Sequence, residues 1–127
     1  STGAARAVTE VMPELAGRLD GLSVRVPTPN VSLVDLVATV ARPAFREEIN
    51  QAFAEAAAGS LAGVLAVSFE PLVSSDYNGS GFSAVVDAEL TNVMGGTLVK
   101  VMAWYDNEMG FSHRMLDLAA YVGRRVV

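Results

Sequence analysis

Cysteine is absent from the 127 residues, histidine and tryptophan occur once each, and only 18% of the chain is charged. Without cysteine these residues supply no disulfide scaffold, no thiolate metal site and no cysteine nucleophile. Nine basic against fourteen acidic residues leave a formal charge of −5. That is the wrong sign for the basic stripe that tracks a phosphate backbone, so no nucleic-acid partner is expected. No uninterrupted apolar run approaches the roughly 18 residues of a membrane-spanning helix. A soluble protein with no membrane partner is therefore expected. Apolar side chains, by contrast, make up 51% of the total. That content excludes a disordered acidic chain, and the length suits one domain. The chain opens on Ser1 with no leader-type segment, which suggests a processed or partial chain.

Periodicity predicts a first helix from Thr2 to about Leu15, with Val8, Val11, Met12 and Leu15 on one face. Pro13 should loosen its last turn. Leu22 to Val26 alternates apolar and polar residues and reads as a strand. Pro27, Pro29 and Asn30 then impose an extended turn. Ser32 to Ala41 reads as a buried strand whose one charge, Asp35, needs a partner. Pro43 opens a second helix, Ala44 to Ala58, with Phe45, Ile49, Ala52, Phe53 and Ala56 as its apolar stripe. Gly63 to Phe69 is a short strand, and Asn78-Gly79 marks a turn. Ser83 to Glu89 and Leu90 to Met94 come next. Gly95-Gly96 then links them to Thr97–Tyr105 as a hairpin, because primed turns need positive φ. The last helix covers about Met109 to Val122, with Phe111, Met115, Leu118 and Val122 on one face. This order implies an α+β fold, with a mostly antiparallel, mixed sheet and helices packed on one face. The Gly-x-Gly-x-x-Gly turn of a dinucleotide-binding domain opens none of these helices.

Thr2 and Gly3 start a helix whose first amides lack intrahelical partners. They can receive an anion or simply stay solvated. Arg25 can offer its charged fork to phosphate, or form a structural ion pair with Asp35. Asn107 lies in Trp104-Tyr105-Asp106-Asn107-Glu108, where the last strand hands over to the last helix. A carboxamide there donates and accepts together, which suits an amide ligand. The plainer role is that Asp106 or Asn107 caps the helix. His113 has no serine motif or carboxylate pair beside it and reads as a surface or packing residue. Asp87 and Glu89 read as a solvated strand face rather than an acid–base pair. No catalytic residue and no metal ligand is assigned.

Three motifs share one resemblance: Ser1-Thr2-Gly3-Ala4-Ala5, Arg25-Val26-Pro27-Thr28-Pro29-Asn30-Val31-Ser32, and Trp104-Tyr105-Asp106-Asn107-Glu108 followed by Gly110. In order and spacing the chain resembles the glyceraldehyde-3-phosphate dehydrogenase family over its whole length. The resemblance implies that residues 1–127 form the C-terminal portion of that family's catalytic domain. The Rossmann domain, the catalytic cysteine and its histidine would lie upstream of Ser1, and His113 does not match that histidine. The implied chemistry is phosphorylating aldehyde oxidation. A thiolate attacks glyceraldehyde 3-phosphate, a hydride passes to NAD or NADP, and inorganic phosphate releases an acyl phosphate. The resemblance further implies a glycolytic, cytoplasmic homo-oligomer, a tetramer at full length. Carried over residue by residue, Thr2 and Gly3 help form the attacking-phosphate pocket. Arg25 serves phosphate binding near both anion pockets, and Asn107 holds the nicotinamide carboxamide. The 127 residues alone are then expected to be inactive. Arg6 stands where lysine is common and Phe111 where many members have tyrosine. Two alternatives remain. Gly110-Phe111 and Arg114-Met115-Leu116-Asp117 lean toward erythrose-4-phosphate dehydrogenase, although Pro27-Thr28-Pro29-Asn30 favours the glyceraldehyde enzyme. The other alternative is a non-catalytic interaction or assembly module of the same fold, whose incomplete sheet would leave an open edge.

Overall fold

Strand β4, Leu98–Tyr105, sets the architecture, because its side chains alternate between two covered faces. The computed structural model describes residues 3–126. The chain runs α1 (Ala4–Val11), β1 (Ser32–Thr39), α2 (Arg46–Ala58), β2 (Leu65–Ser68), β3 (Ala84–Met94), β4 and α3 (Asn107–Val126). Single 3-10 turns occur at Pro13–Leu15 and Ser74–Tyr77. The sheet order is β1-β4-β3-β2. β4 pairs antiparallel with both β1 and β3, and β2 pairs parallel with β3. The fold is thus α+β with a mixed, mostly antiparallel sheet. Among the described residues no helix is long and apolar enough to cross a membrane.

One face of the sheet buries Val86, Val99, Val101 and Ala103, against which Ile49 and Phe53 of α2 pack. The opposite face buries Val85 with Val31 and Tyr77, and Trp104 lies against them. Each fully buried side chain of this size contributes roughly 1.5–3 kcal/mol. The Trp104 ring stacks on Tyr77 with centroids 5.6 Å apart and planes 14° apart. Its Nε1 donates to Asp87 Oδ2 at 3.1 Å. Asp87 is therefore buried beneath an aromatic pair, not part of a solvated face. Glu89 is exposed and faces Arg46 at 3.6 Å.

β3 is one strand with a bulge, since its register against β4 shifts between Asp87 and Asn92. A bulge frees backbone groups from the ladder. The Ala88 carbonyl is met by two side chains of α2, Asn50 Nδ2 at 3.0 Å and Arg46 Nη2 at 2.9 Å. The hairpin turn is where the glycine pair places it, with Gly95 and Gly96 at φ 59° and 78°. The loop also takes in Thr97, because Met94 pairs with Leu98.

Several expectations change. Pro13 ends the first helix instead of loosening it, because proline brings no N–H and a 3-10 turn follows. Leu22–Val26 is irregular and exposed, because no strand among the described residues lies beside it to complete a ladder. β1 is not buried. It forms one edge of the sheet, and Val34, Leu36 and Val37 remain exposed. Its Asp35 pairs with Lys100 at 2.9 Å, not with Arg25. Phe45 precedes α2 and is exposed, while its amide donates to Glu48 Oε2 at 2.8 Å. The stripe Phe111, Met115, Leu118 and Val122 on α3 is exposed too.

Candidate functional site

Asp106 sits between β4 and α3 and is buried, with 4% of its surface exposed. Its carboxylate gathers four donors from three parts of the chain. Oδ1 accepts the amides of Glu108 at 3.0 Å and Met109 at 2.9 Å, which caps α3. Oδ2 accepts the Gly79 amide at 2.9 Å and Asn30 Nδ2 at 2.9 Å. Asn30 Nδ2 also donates to Asn78 Oδ1 at 3.0 Å. Gly79 supplies its amide from a left-handed conformation at φ 79°, which glycine adopts without cost. The amides of Met109 and Gly79 hold the Asp106 carboxyl below its ordinary range, with Asn30 and Glu108 adding to the effect against burial.

Around this carboxylate lies an open cleft of about 430 Å³, lined by Asn30, Asn78, Gly79, Asp106, Glu108, Met109 and Ser112. Asn107, next in sequence to Asp106, is exposed and does not line the cleft. Ser32 Oγ donates to Asn107 Oδ1 at 3.0 Å. Thus Asp106 is the cap of α3, and Asn107 is not. Gly110 allows the first turn of α3 to settle, since a Cβ there would lie 2.8 Å from the Phe82 carbonyl oxygen. Farther along, Arg114 donates to Ser83 Oγ at 3.0 Å, the Gly63 carbonyl at 3.1 Å and Asp117 Oδ2 at 2.8 Å. His113 bonds the Met109 carbonyl through Nδ1 at 3.0 Å and lays its ring against Gly81. It plays a packing part.

Gly3 and Arg25 do not line this cleft. Thr2 lies outside the described residues. Gly3 is the exposed N-cap of α1, and its carbonyl accepts the Ala7 amide at 2.9 Å. Arg25 is exposed in the irregular segment and makes no hydrogen bond or ion pair with another described residue. No hydrogen bond or buried cluster joins Gly3 or Arg25 to Asn107. Sequence reasoning missed Asn30 and Ser32, because it read them as a turn and a strand start. Their one signal was the Asn-Val-Ser run beside two prolines.

The described residues thus form an α+β sheet domain with an exposed carboxamide at a strand-to-helix junction. The family model described as "Glyceraldehyde 3-phosphate dehydrogenase, C-terminal domain" matches residues 1–107. The chain belongs to this family. It is 57% identical over 125 residues to the glyceraldehyde-3-phosphate dehydrogenase of Geobacillus stearothermophilus, covering 98% of this chain and 37% of that protein. It is 58% identical over 125 residues to glyceraldehyde-3-phosphate dehydrogenase 1 of Bacillus subtilis (strain 168), with the same coverage. It is 58% identical over 127 residues to glyceraldehyde-3-phosphate dehydrogenase 2 of Trichormus variabilis, covering 100% of this chain and 38% of that protein. The chain thus spans little more than a third of the length of these relatives. Their names favour the glyceraldehyde enzyme over the erythrose one.

Proposed function

We propose that this chain is the C-terminal portion of the catalytic domain of a phosphorylating glyceraldehyde-3-phosphate dehydrogenase. The observation that carries the reading is the Asn107 amide, held at the β4–α3 junction by Ser32 with its NH2 directed to no acceptor among the described residues. That donor fits the carbonyl oxygen of a nicotinamide ring. When bound, NAD or NADP takes up the hydride of the aldehyde. Asn107 orients the ring. Thr2, Gly3 at the N-cap of α1, and Arg25 supply phosphate contacts, for glyceraldehyde 3-phosphate and for inorganic phosphate. The exposed guanidinium of Arg25 is free to form a bidentate pair with a phosphate. The chain supplies no thiol, since it holds no cysteine. A cytoplasmic tetramer, in which the Rossmann domain and the nucleophile come from further sequence, completes the reading.

A hybrid enzyme tests it. Residues 1–127 replace the matching segment of the Bacillus subtilis relative, and aldehyde- and phosphate-dependent nicotinamide reduction is measured. Turnover close to that of the parent is expected, with none from the 127 residues alone. A folded hybrid without turnover, or turnover by the isolated chain, would overturn the reading.

A further inference from the structure

Asn78 and Gly79 are the central pair of an exposed turn with type II backbone. Asn78 has φ −58° and ψ 130°, Gly79 has φ 79°, and the Ser80 amide donates to the Tyr77 carbonyl at 3.1 Å. Asn30 and Asn92 precede valine, Asn50 precedes glutamine and Asn107 precedes glutamate, so Asn78 alone is followed by glycine. That neighbour matters chemically. The backbone nitrogen of the next residue can attack an asparagine side chain, and only glycine leaves that nitrogen unshielded. The fold does not crowd it either, since a Cβ on Gly79 would meet nothing within 4 Å.

Two hydrogen bonds nevertheless keep the reacting groups apart. Ring closure needs Cβ of Asn78 and the Gly79 nitrogen eclipsed about the Cα–C bond. At ψ 130° the L configuration swings the side chain away from that nitrogen. The Gly79 amide donates to the buried Asp106 carboxylate at 2.9 Å, which fixes the peptide plane. An ionised carboxylate only accepts, so the group that Asn30 turns to Asp106 is its NH2. The second hydrogen of that NH2 goes to Asn78 Oδ1 at 3.0 Å, which fixes the side chain.

We propose that Asn78 is a deamidation site latched shut by Asp106 and Asn30. When the turn opens, hydroxide from solvent takes the Gly79 amide proton and the nitrogen attacks Asn78 Cγ. The N–Cγ bond forms, the Cγ–Nδ2 bond breaks, and Nδ2 leaves as ammonia with a proton from water. Water then opens the cyclic imide at either carbonyl, leaving aspartate or isoaspartate at this position. Nothing is oxidised or reduced. The product works against the latch. The two bonds from Asn30 Nδ2 keep Asn78 Oδ1 and Asp106 Oδ2 within about 6 Å, where a second carboxylate repels the first. Deamidation therefore loosens the meeting point that Asp106 ties. The proposal is independent of the reading of Asn107.

The test incubates the hybrid enzyme at mildly alkaline pH and quantifies aspartate and isoaspartate at each asparagine by mass-spectrometric peptide mapping. In the folded enzyme Asn78 should deamidate about ten- to a hundredfold more slowly than in the same chain unfolded in guanidinium, the worth of a charge-assisted hydrogen bond. Asp106→Ala and Asn30→Ala each remove one arm of the latch. Each should raise the folded-state rate at least several-fold, with a cooperative melt confirming that the variant is folded. Phe53→Ala weakens the core on the α2 side of the sheet without touching the turn, and should leave Asn78 slow. Where Asp106→Ala does not fold, Asn30→Ala decides, because it leaves Asp106 to cap α3. Equal rates in the folded and unfolded enzyme, a folded Asn30→Ala as slow as its parent, or a Phe53→Ala as fast as Asn30→Ala would each overturn the proposal.

Discussion

Asn30 Nδ2 donates to Asp106 Oδ2 at 2.9 Å, joining two side chains 76 positions apart. The same carboxylate caps α3 and holds the Gly79 turn. One buried charge thereby fixes where the turn before β1, the Asn78-Gly79 turn and the start of α3 meet. The Asn107 amide is displayed from that meeting point.

The Asp106 carboxylate makes stability fall in acid. Its donors hold the folded-state pKa below the ordinary value. Stabilisation is therefore complete above the unfolded value, about 3.9. It is lost as pH falls through the depressed folded value. Thermal melts of the wild type should lose stability below about pH 4. Asp106→Asn should melt lower at neutral pH and show a shallower acid dependence. An acid dependence equal to that of the wild type would exclude Asp106 as its source.

What was legible in the sequence was local. Gly95-Gly96 declared its turn because the positive φ is a property of those two residues. Ile49 and Phe53 declared the inner face of α2 through helical spacing. What stayed hidden depended on distant partners. Leu22–Val26 alternates as a strand should, yet a strand forms only beside another. Asp87 alternates like a surface residue, and only the Tyr77–Trp104 pair above it decides its burial. At the site, Asp106 was visible as a cap candidate. Its bonds to Asn30 and Gly79, and that of Ser32 to Asn107, required the folded chain.

Two glycines of α3 should respond oppositely to alanine. A Cβ on Gly110 would lie 2.8 Å from the Phe82 carbonyl oxygen, a backbone atom with little room to move. Gly110→Ala should destabilise by about 1–3 kcal/mol, the usual cost of overpacking. A Cβ on Gly123 meets nothing within 4 Å. Gly123→Ala should stabilise by about 0.5–1 kcal/mol, because glycine carries the larger entropy cost in a helix. Urea unfolding of both variants checks the signs.

Val31 should invert the usual ranking of alanine and glycine. Glycine normally costs about 0.5–1 kcal/mol more than alanine. At φ 71° alanine retains a clash between Cβ and backbone worth about 1–2 kcal/mol, and glycine has none. Both lose the packing on Tyr77 and Val85. Val31→Gly should therefore be no less stable than Val31→Ala. If denaturation finds glycine the worse by its ordinary margin, the backbone at Val31 is unstrained.

Tyr77 should be improved by losing its hydroxyl. The phenol oxygen is buried with no hydrogen bond of full geometry in the fold, although the Ser68 side chain lies near it, while water satisfies it in the unfolded chain. An unmade bond of this kind costs about 1–3 kcal/mol. Tyr77→Phe keeps the ring stacked on Trp104 and removes the unpaired group. It should raise stability by about 1 kcal/mol at neutral pH. A second signature separates this from a general packing gain. Burial pushes the Tyr77 pKa up against the opposing effect of the Ser68 side chain, with the nearby Asp87 charge adding to the rise. The folded state then resists ionisation more than the unfolded state does, so stability falls as pH rises above the ordinary phenol value of about 10. The Phe variant should lose that part of the alkaline dependence, and paired melts at pH 7 and pH 10.5 test it. A Phe variant less stable than the wild type at both pH values would mean that the hydroxyl is bonded in the folded protein.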